Sequence, residues 1–247
     1  MDFLKCDKCS MVYRNIGEEN KFEQDYWGDG VLDPDGKSRD KGEERDHKIS
    51  CNIDEIKYIN KLYKDGGSIV DIGSGLGHFL GAFDKKWKKT GTEISEYCKK
   101  FMQKQYPDIQ VESNIEDLPD KSADVIYSHH VIEHMFDPSY DTKQIRRILK
   151  DDGWFFVITP NIEGWASRRF GKNFRLLHDE THINMYGEST LRKFLEQEGF
   201  VVKKVNKPFF RTKYFTMRNI LRLWDKKKTS PPFRGNVIYF YCQKNGD

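Results

Sequence analysis

The order of apolar runs along the chain predicts an α/β fold: a mostly parallel sheet covered on both faces by helices. Three observations carry this expectation. Short apolar runs of strand length alternate with stretches of about 10–15 residues at helical spacing. The run before "GSGLG" is apolar almost throughout, as a strand buried on both faces should be. Gly73, Gly75 and Gly77 follow that run directly, at the end of a strand where open sheets of this kind bind ligands.

The elements follow in order. From His47 onward, Ile49, Ile53, Ile56, Ile59 and Leu62 recur every three or four residues. They predict one helix with a single buried stripe, stopped by the glycine pair at 66–67. Residues 68–73 predict a strand, 76–87 a helix, 89–94 a second strand and 95–105 a second helix capped by Ser95. Residues 109–114 and 123–130 predict a third and a fourth strand. A helix containing 142–150 should end at Asp151-Asp152-Gly153, before a fifth strand over 154–161. Residues 187–200 read as a capped helix leading into a strand over 200–205, and 236–244 as a closing strand. Residues 1–46 are set apart as an N-terminal extension, with a cysteine pair and a polar, turn-rich stretch. The main domain is expected over 47–247, with a basic amphipathic insert at about 211–228.

Composition excludes several classes. The 247 residues can bury a core without staples. Charged residues make up 33% of the chain but nearly cancel, at +3, which argues against a dedicated nucleic-acid binder. The five cysteines are scattered, which fits a reducing, cytoplasmic setting better than a disulfide framework. No window reaches the ~18 apolar residues of a membrane span, and the first residues lack a signal-peptide pattern.

The glycine loop carries the first chemistry. Glycines there let the backbone turn tightly and approach a ligand with its amides exposed. Glu93 ends the next strand, where a carboxylate can accept both hydroxyls of a ribose. The spacing is G-x-G-x-G, unlike the G-x-G-x-x-G dinucleotide fingerprint, so a pyrophosphate is not the expected guest.

The segments "VDIGSGLGHFL", "GTEIS", "NIEDLP", "ADVIYSHHVIEHMFDP" and "LKDDGWFFVITPN" resemble the successive motifs of class I S-adenosylmethionine-dependent methyltransferases. "FGKNFRLLHDETHINMYGESTLRKFLEQEGF" is similar to the corresponding segment of the UbiG-like, methyltransferase 23 group. The resemblance covers residues 65–205. It implies a Rossmann-like fold with seven strands in the order 3-2-1-4-5-7-6, and S-adenosylmethionine as cofactor. Asp71, Gly73, Ser74, Gly75 and Gly77 would then hold the methionyl end, Glu93 the ribose, and Ile94 the adenine face. Asn114 and Ile115 would meet the adenine edge and face, and Ser128 and His129 would pass close to the methionine portion. Tyr26 would close over the cofactor. Family members often carry Asp at the position of Asn114.

Methyl transfer to a hydroxyl gains from a base, whose contribution is roughly 10²–10⁴-fold. Candidates after the fourth and fifth strands are His129, His130, His134, His178, His182, Asp179 and Glu180. His182 is taken first as base or acceptor-orienting group, with His178 and Asp179 behind it. His130, Glu133 and His134 share one helical face and resemble a metal-binding run of some relatives. No metal is assigned, and Glu133 and His134 are read as bracing the loop.

Cys6 and Cys9 form one half of a zinc-ribbon pattern, read as a pair without metal. The basic insert either packs as a helix on the sheet or docks a partner, an anionic lipid or a polyanionic acceptor. The expected activity is O-methylation of a saccharide or small-molecule acceptor in glycan or natural-product biosynthesis. A quinone or phenol acceptor comes second, and a cofactor-binding protein without catalysis is the rival.

Overall fold

The computed structural model describes residues 3–15, 44–207, 216–232 and 236–246. Its centre is a seven-stranded sheet. In chain order the strands are β3 (Gly67–Ile72), β4 (Trp87–Thr92), β5 (Ile109–Glu112), β6 (Ala123–His129), β7 (Leu149–Pro160), β9 (Phe200–Asn206) and β10 (Val237–Lys244). Their spatial order is β5-β4-β3-β6-β7-β10-β9. Counted along this sheet alone, that is 3-2-1-4-5-7-6, as expected. The pairs from β5 to β7 are parallel, and β10 runs antiparallel to both neighbours.

Period-two alternation divides the strands between two cores. Val70, Ile72, Ile126, Phe155, Val157 and Phe240 face one side, under Ile145 and Ile148 of α4 (Pro138–Ile148) and Leu191 and Leu195 of α6 (Glu188–Gln197). Ile69, Val125, Tyr127, Phe156, Ile158 and Tyr241 face the other. That side is covered by Ile56 and Ile59 of α2 (Ile53–Leu62) and Met102 of α3 (Glu96–Gln105). Ser95 caps α3 as expected, its hydroxyl accepting from the Cys98 N–H.

Four expectations need correction. The helix expected from His47 is two helices, α1 (Glu44–Cys51) and α2, broken at Asn52. Asn52 is buried and bridges the Lys48 carbonyl (2.9 Å) and the Tyr127 hydroxyl (2.9 Å), so the chain bends to bring its amide inside. Leu62, read into the buried stripe, is exposed. No helix spans 76–87, where one 3₁₀ turn, Leu80–Ala82, is all that forms. Gly77 has φ 74°, and a Cβ on Gly81 would stand 2.3 Å from Tyr106. Phe79, Leu80 and Phe83 pack into the core there, beside short turn bonds such as Gly81 N–H to the Gly77 carbonyl at 2.9 Å. Asp151-Asp152-Gly153 lies inside β7. Ala123 pairs with Leu149 and Val125 with Trp154, so residues 150–153 bulge opposite Asp124 alone.

A small antiparallel sheet joins β1 (Phe3–Lys5), β2 (Val12–Arg14) and β8 (Asn184–Met185) in the order β1-β2-β8. This pairing links the N-terminal residues to the segment after α5 (Trp165–Phe170). Among the described residues, no helix is long and apolar enough to cross a membrane.

Candidate active site

β3 brings Asp71 to the C-terminal edge of the sheet, and the chain turns through Gly73, Gly75 and Gly77 at φ 65°, 54° and 74°. Glycine enters this region without strain. A Cβ on Gly73 would stand 2.6 Å from Val131, and one on Gly77 2.6 Å from Met102, so packing also demands both glycines. A Cβ on Gly75 would meet nothing within 4 Å, and this glycine faces open space. Ser74 fastens the turn, its N–H and Oγ both donating to the Thr92 carbonyl, at 3.0 and 3.2 Å.

Glu93, the residue after β4, is buried. Its Oε2 accepts from the Gly75 N–H and its Oε1 from the Ser95 N–H, each at 2.8 Å. One carboxylate thus ties the glycine turn to the start of α3, and each oxygen keeps acceptor capacity for a ligand hydroxyl. Ile94 beside it is 54% exposed, an open apolar face for a flat ring. Asn114 is exposed before the 3₁₀ turn Ile115–Asp117, with Ile115 half-buried. Ser128, next to last in β6, has its Oγ buried and without a hydrogen-bond partner, a desolvated group that a ligand can complete. His129 is half-buried and stacks on His130, ring centres 4.8 Å apart. These residues fit S-adenosylmethionine: an open approach at Gly75, a poised carboxylate, an apolar platform and an unpaired buried hydroxyl. Tyr26 lies outside the described residues.

Burial, opposed by Lys48 and reinforced by Glu93, pushes the Asp71 carboxyl up to about 8. Between about pH 4 and pH 8 the folded chain therefore holds a proton that the unfolded chain has lost, so this group's stability contribution falls as pH rises. Asp71→Asn should match the wild type in stability near pH 4. By pH 8 it should be the more stable, by an amount on the order of a few kcal/mol. Urea unfolding across that range measures this, and a pH-independent difference would contradict it.

A second cluster lies beyond β6 and β7. Glu133 is fully buried; its Oε1 is 2.6 Å from His130 Nδ1 and its Oε2 accepts from the Thr159 hydroxyl at 2.9 Å. Burial works against its charge, but His130 most strongly, then His134 and His182, bring it down to about 2. His130 has φ 60°, a conformation costly for a residue with a Cβ and often found at functional sites. His182 is buried, its Nδ1 2.7 Å from the Leu176 carbonyl. A carbonyl only accepts, so Nδ1 carries a proton and Nε2 is the basic nitrogen of the neutral ring. Nε2 lies 3.7 Å from Asp179 and 3.9 Å from Glu133. Burial lowers the His182 pKa, against the pull of both carboxylates.

The structure thus brings His182 and Asp179 together and leaves His178 exposed on the loop before them. His134 bonds the Thr181 carbonyl at 2.8 Å and, in bracing that loop, stands outside the tightest group. His130, Glu133 and His182 each offer a ligand atom, and these lie within 4.8 Å of one another. A two-histidine, one-carboxylate set of this kind suits a transition-metal ion better than magnesium.

Arg14 went unread in the sequence. It is buried on β2 and donates to the carbonyls of Glu180 (2.5 Å), Asp179 (3.0 Å) and Leu177 (3.2 Å), with its guanidinium 4.8 Å from the Phe3 ring centre. It therefore holds the loop that carries Asp179 and His182. No local motif announces such a role, because its partners are more than 160 residues away. Arg14→Met keeps an apolar stem but strands the Glu180 and Leu177 carbonyls and leaves the Asp179 carbonyl only the His182 N–H, and should cost about 2–4 kcal/mol. Chemical unfolding checks this, and a loss under 1 kcal/mol would contradict it.

Comparison with known proteins agrees with this geometry. A family model described as "Methyltransferase domain" matches residues 42–205. A Mycolicibacterium smegmatis protein named "Probable S-adenosylmethionine-dependent methyltransferase" is 27% identical over 154 residues, 60% of this chain and 58% of that protein. The chain thus matches little more than half the length of that curated relative. A solved SAM-dependent methyltransferase from Archaeoglobus fulgidus superposes with a TM-score of 0.57 at 20% identity, covering 81% of this chain and 94% of its own. One from Mesorhizobium loti gives 0.54 at 18% identity, covering 73% and 92%. The strand order, the glycine turn joined to Glu93 and the family match agree: the chain belongs to the methyltransferase-domain family, with a class I fold and S-adenosylmethionine as its cofactor.

Proposed function

We propose that the protein methylates a hydroxyl oxygen of a saccharide or other small molecule. The observation that carries this reading is the pairing of partly exposed His130 with buried Glu133, beside the strand end that should meet the methionine portion of the cofactor. Bound S-adenosylmethionine supplies a methyl group on a positively charged sulfur, which becomes a neutral thioether as the acceptor oxygen gains the methyl. The acceptor's proton goes to His130 Nε2, since Nδ1 faces Glu133. The Glu133 carboxylate stabilises the resulting imidazolium. His182 and Asp179 stand at the rear of the cluster, with His182 Nε2 3.9 Å from Glu133, whose carboxylate is held by His130 and the Thr159 hydroxyl. Asp71 would face the cofactor's ammonium group, and Gly75 would let its carboxylate approach the backbone. Aliphatic hydroxyls gain more from such a base than phenols, whose protons leave far more readily, and this places saccharides ahead of quinols.

A methyl-transfer assay with labelled cofactor, run over hexose-containing acceptors, quinols and amines, tests the proposal. Label in an ether of a saccharide or aliphatic alcohol supports it. Transfer confined to amines or carbon overturns it.

The cluster of His130, Glu133 and His182 favours a second reading, in which a divalent ion lowers the hydroxyl's pKa. Activity lost to a chelator and restored by added ion would select that route over the metal-free base.

A further inference from the structure

The geometry points to α7 (Met217–Arg222) and the turn after it as a docking surface for a lipid bilayer bearing anionic headgroups. Met217, Leu221 and Trp224 stand at i, i+4 and i+7, which places them on one face. They are 70%, 64% and 78% exposed, whereas Ile220 and Leu223, on the other side, are half-buried. A helix packed on the sheet through its apolar residues would bury these three.

Charge identifies what would cover them. Arg218, next to Met217 in the chain, and Lys226, Lys227 and Lys228, shortly after Trp224, are all exposed. The acid among them, Asp225, is engaged by Lys228 at 3.4 Å and by the Lys227 N–H at 3.1 Å. Exposed apolar side chains including a Trp, followed closely in the chain by three exposed lysines, match the apolar edge and anionic surface of a membrane. Three side chains make too small a patch for a standard protein interface, with about 800 Å² per partner. A lipid surface accepts a wedge of this size when charge assists it.

The platform is fixed to the body of the protein. Asn173 Nδ2 donates to the Lys226 carbonyl at 2.8 Å, the Ser230 N–H to the Asn173 carbonyl at 2.8 Å, and the Arg175 N–H to Ser230 Oγ at 3.0 Å. Through residues 173–176 the surface adjoins the loop bearing His182.

Co-sedimentation of the full chain with phosphatidylcholine vesicles, with and without 30 mol% phosphatidylglycerol, provides the test. The protein should bind the anionic vesicles, weaken in 0.5 M salt, and bind phosphatidylcholine alone poorly. Met217→Ser, Leu221→Ser and Trp224→Ser together should reduce partitioning at least tenfold, with unchanged circular dichroism and melting. Replacing Lys226, Lys227 and Lys228 with Gln should reduce it roughly fivefold per lysine. No binding to anionic vesicles at millimolar lipid, or binding untouched by the three serine substitutions, would overturn the inference. So would a dimer, seen by light scattering, that those substitutions dissociate.

Discussion

Glu93→Ala is expected to weaken binding of S-adenosylhomocysteine, the demethylated cofactor, by 10²-fold or more. The carboxylate does two jobs at once. It accepts the Gly75 and Ser95 amides at 2.8 Å each, fixing the glycine turn against α3, and it is the group we propose as the acceptor of the ribose hydroxyls. Hydrogen bonds to a charged partner contribute about 1.5–3 kcal/mol each, so losing two ribose bonds accounts for at least 10²-fold. Disorder in the glycine turn adds to the loss. Glu93→Gln separates the two effects, since it can still accept one amide but must turn its NH₂ toward the other. It should fall between wild type and alanine. Equilibrium dialysis with labelled ligand measures all three, and equal affinities would contradict the assignment of Glu93.

His130→Ala is expected to lower kcat by 10²–10⁴-fold while leaving cofactor affinity within about threefold. The ring is held by Glu133 at 2.6 Å, and its backbone sits at φ 60°, so the fold keeps it in place at some cost. Alanine at that φ is strained as well, and buried Glu133 loses the partner that most favours its charge, so kcat is to be compared at a temperature where the variant is folded. His182→Ala tests the alternative. His182 is buried with Nε2 directed at two carboxylates, so its loss should destabilise the loop and raise KM, with a smaller effect on kcat. If His182→Ala abolishes turnover and His130→Ala does not, the base has been assigned to the wrong imidazole.

Much of the fold was legible because a buried parallel strand leaves an apolar run, and each run here is followed by a break. The candidate cofactor residues can be picked out for the same reason: Gly73–Gly77 and Glu93 stand just past strand ends, and Ser128 is the next-to-last residue of β6. What escaped the sequence depends on contacts without a period. The missing helix over 76–87 reflects two glycines packed against Met102 and Tyr106, which apolar spacing does not reveal. The bulge at residues 150–153 has the polarity of a turn although it lies within a strand. Arg14 reads as a surface cation until β2 is paired with β8. The grouping of His130 with His182 depends on a loop returning 49 residues later to place an imidazole behind Glu133.

The central claim is that the glycine turn and Glu93 form a site for S-adenosylmethionine. Calorimetric titration of the wild-type chain with S-adenosylhomocysteine tests it most directly. One saturable site per chain is expected, with affinity rising from pH 6 to pH 8 as Asp71 gives up its proton to face the ligand's ammonium group. No saturable binding at millimolar ligand would contradict the account.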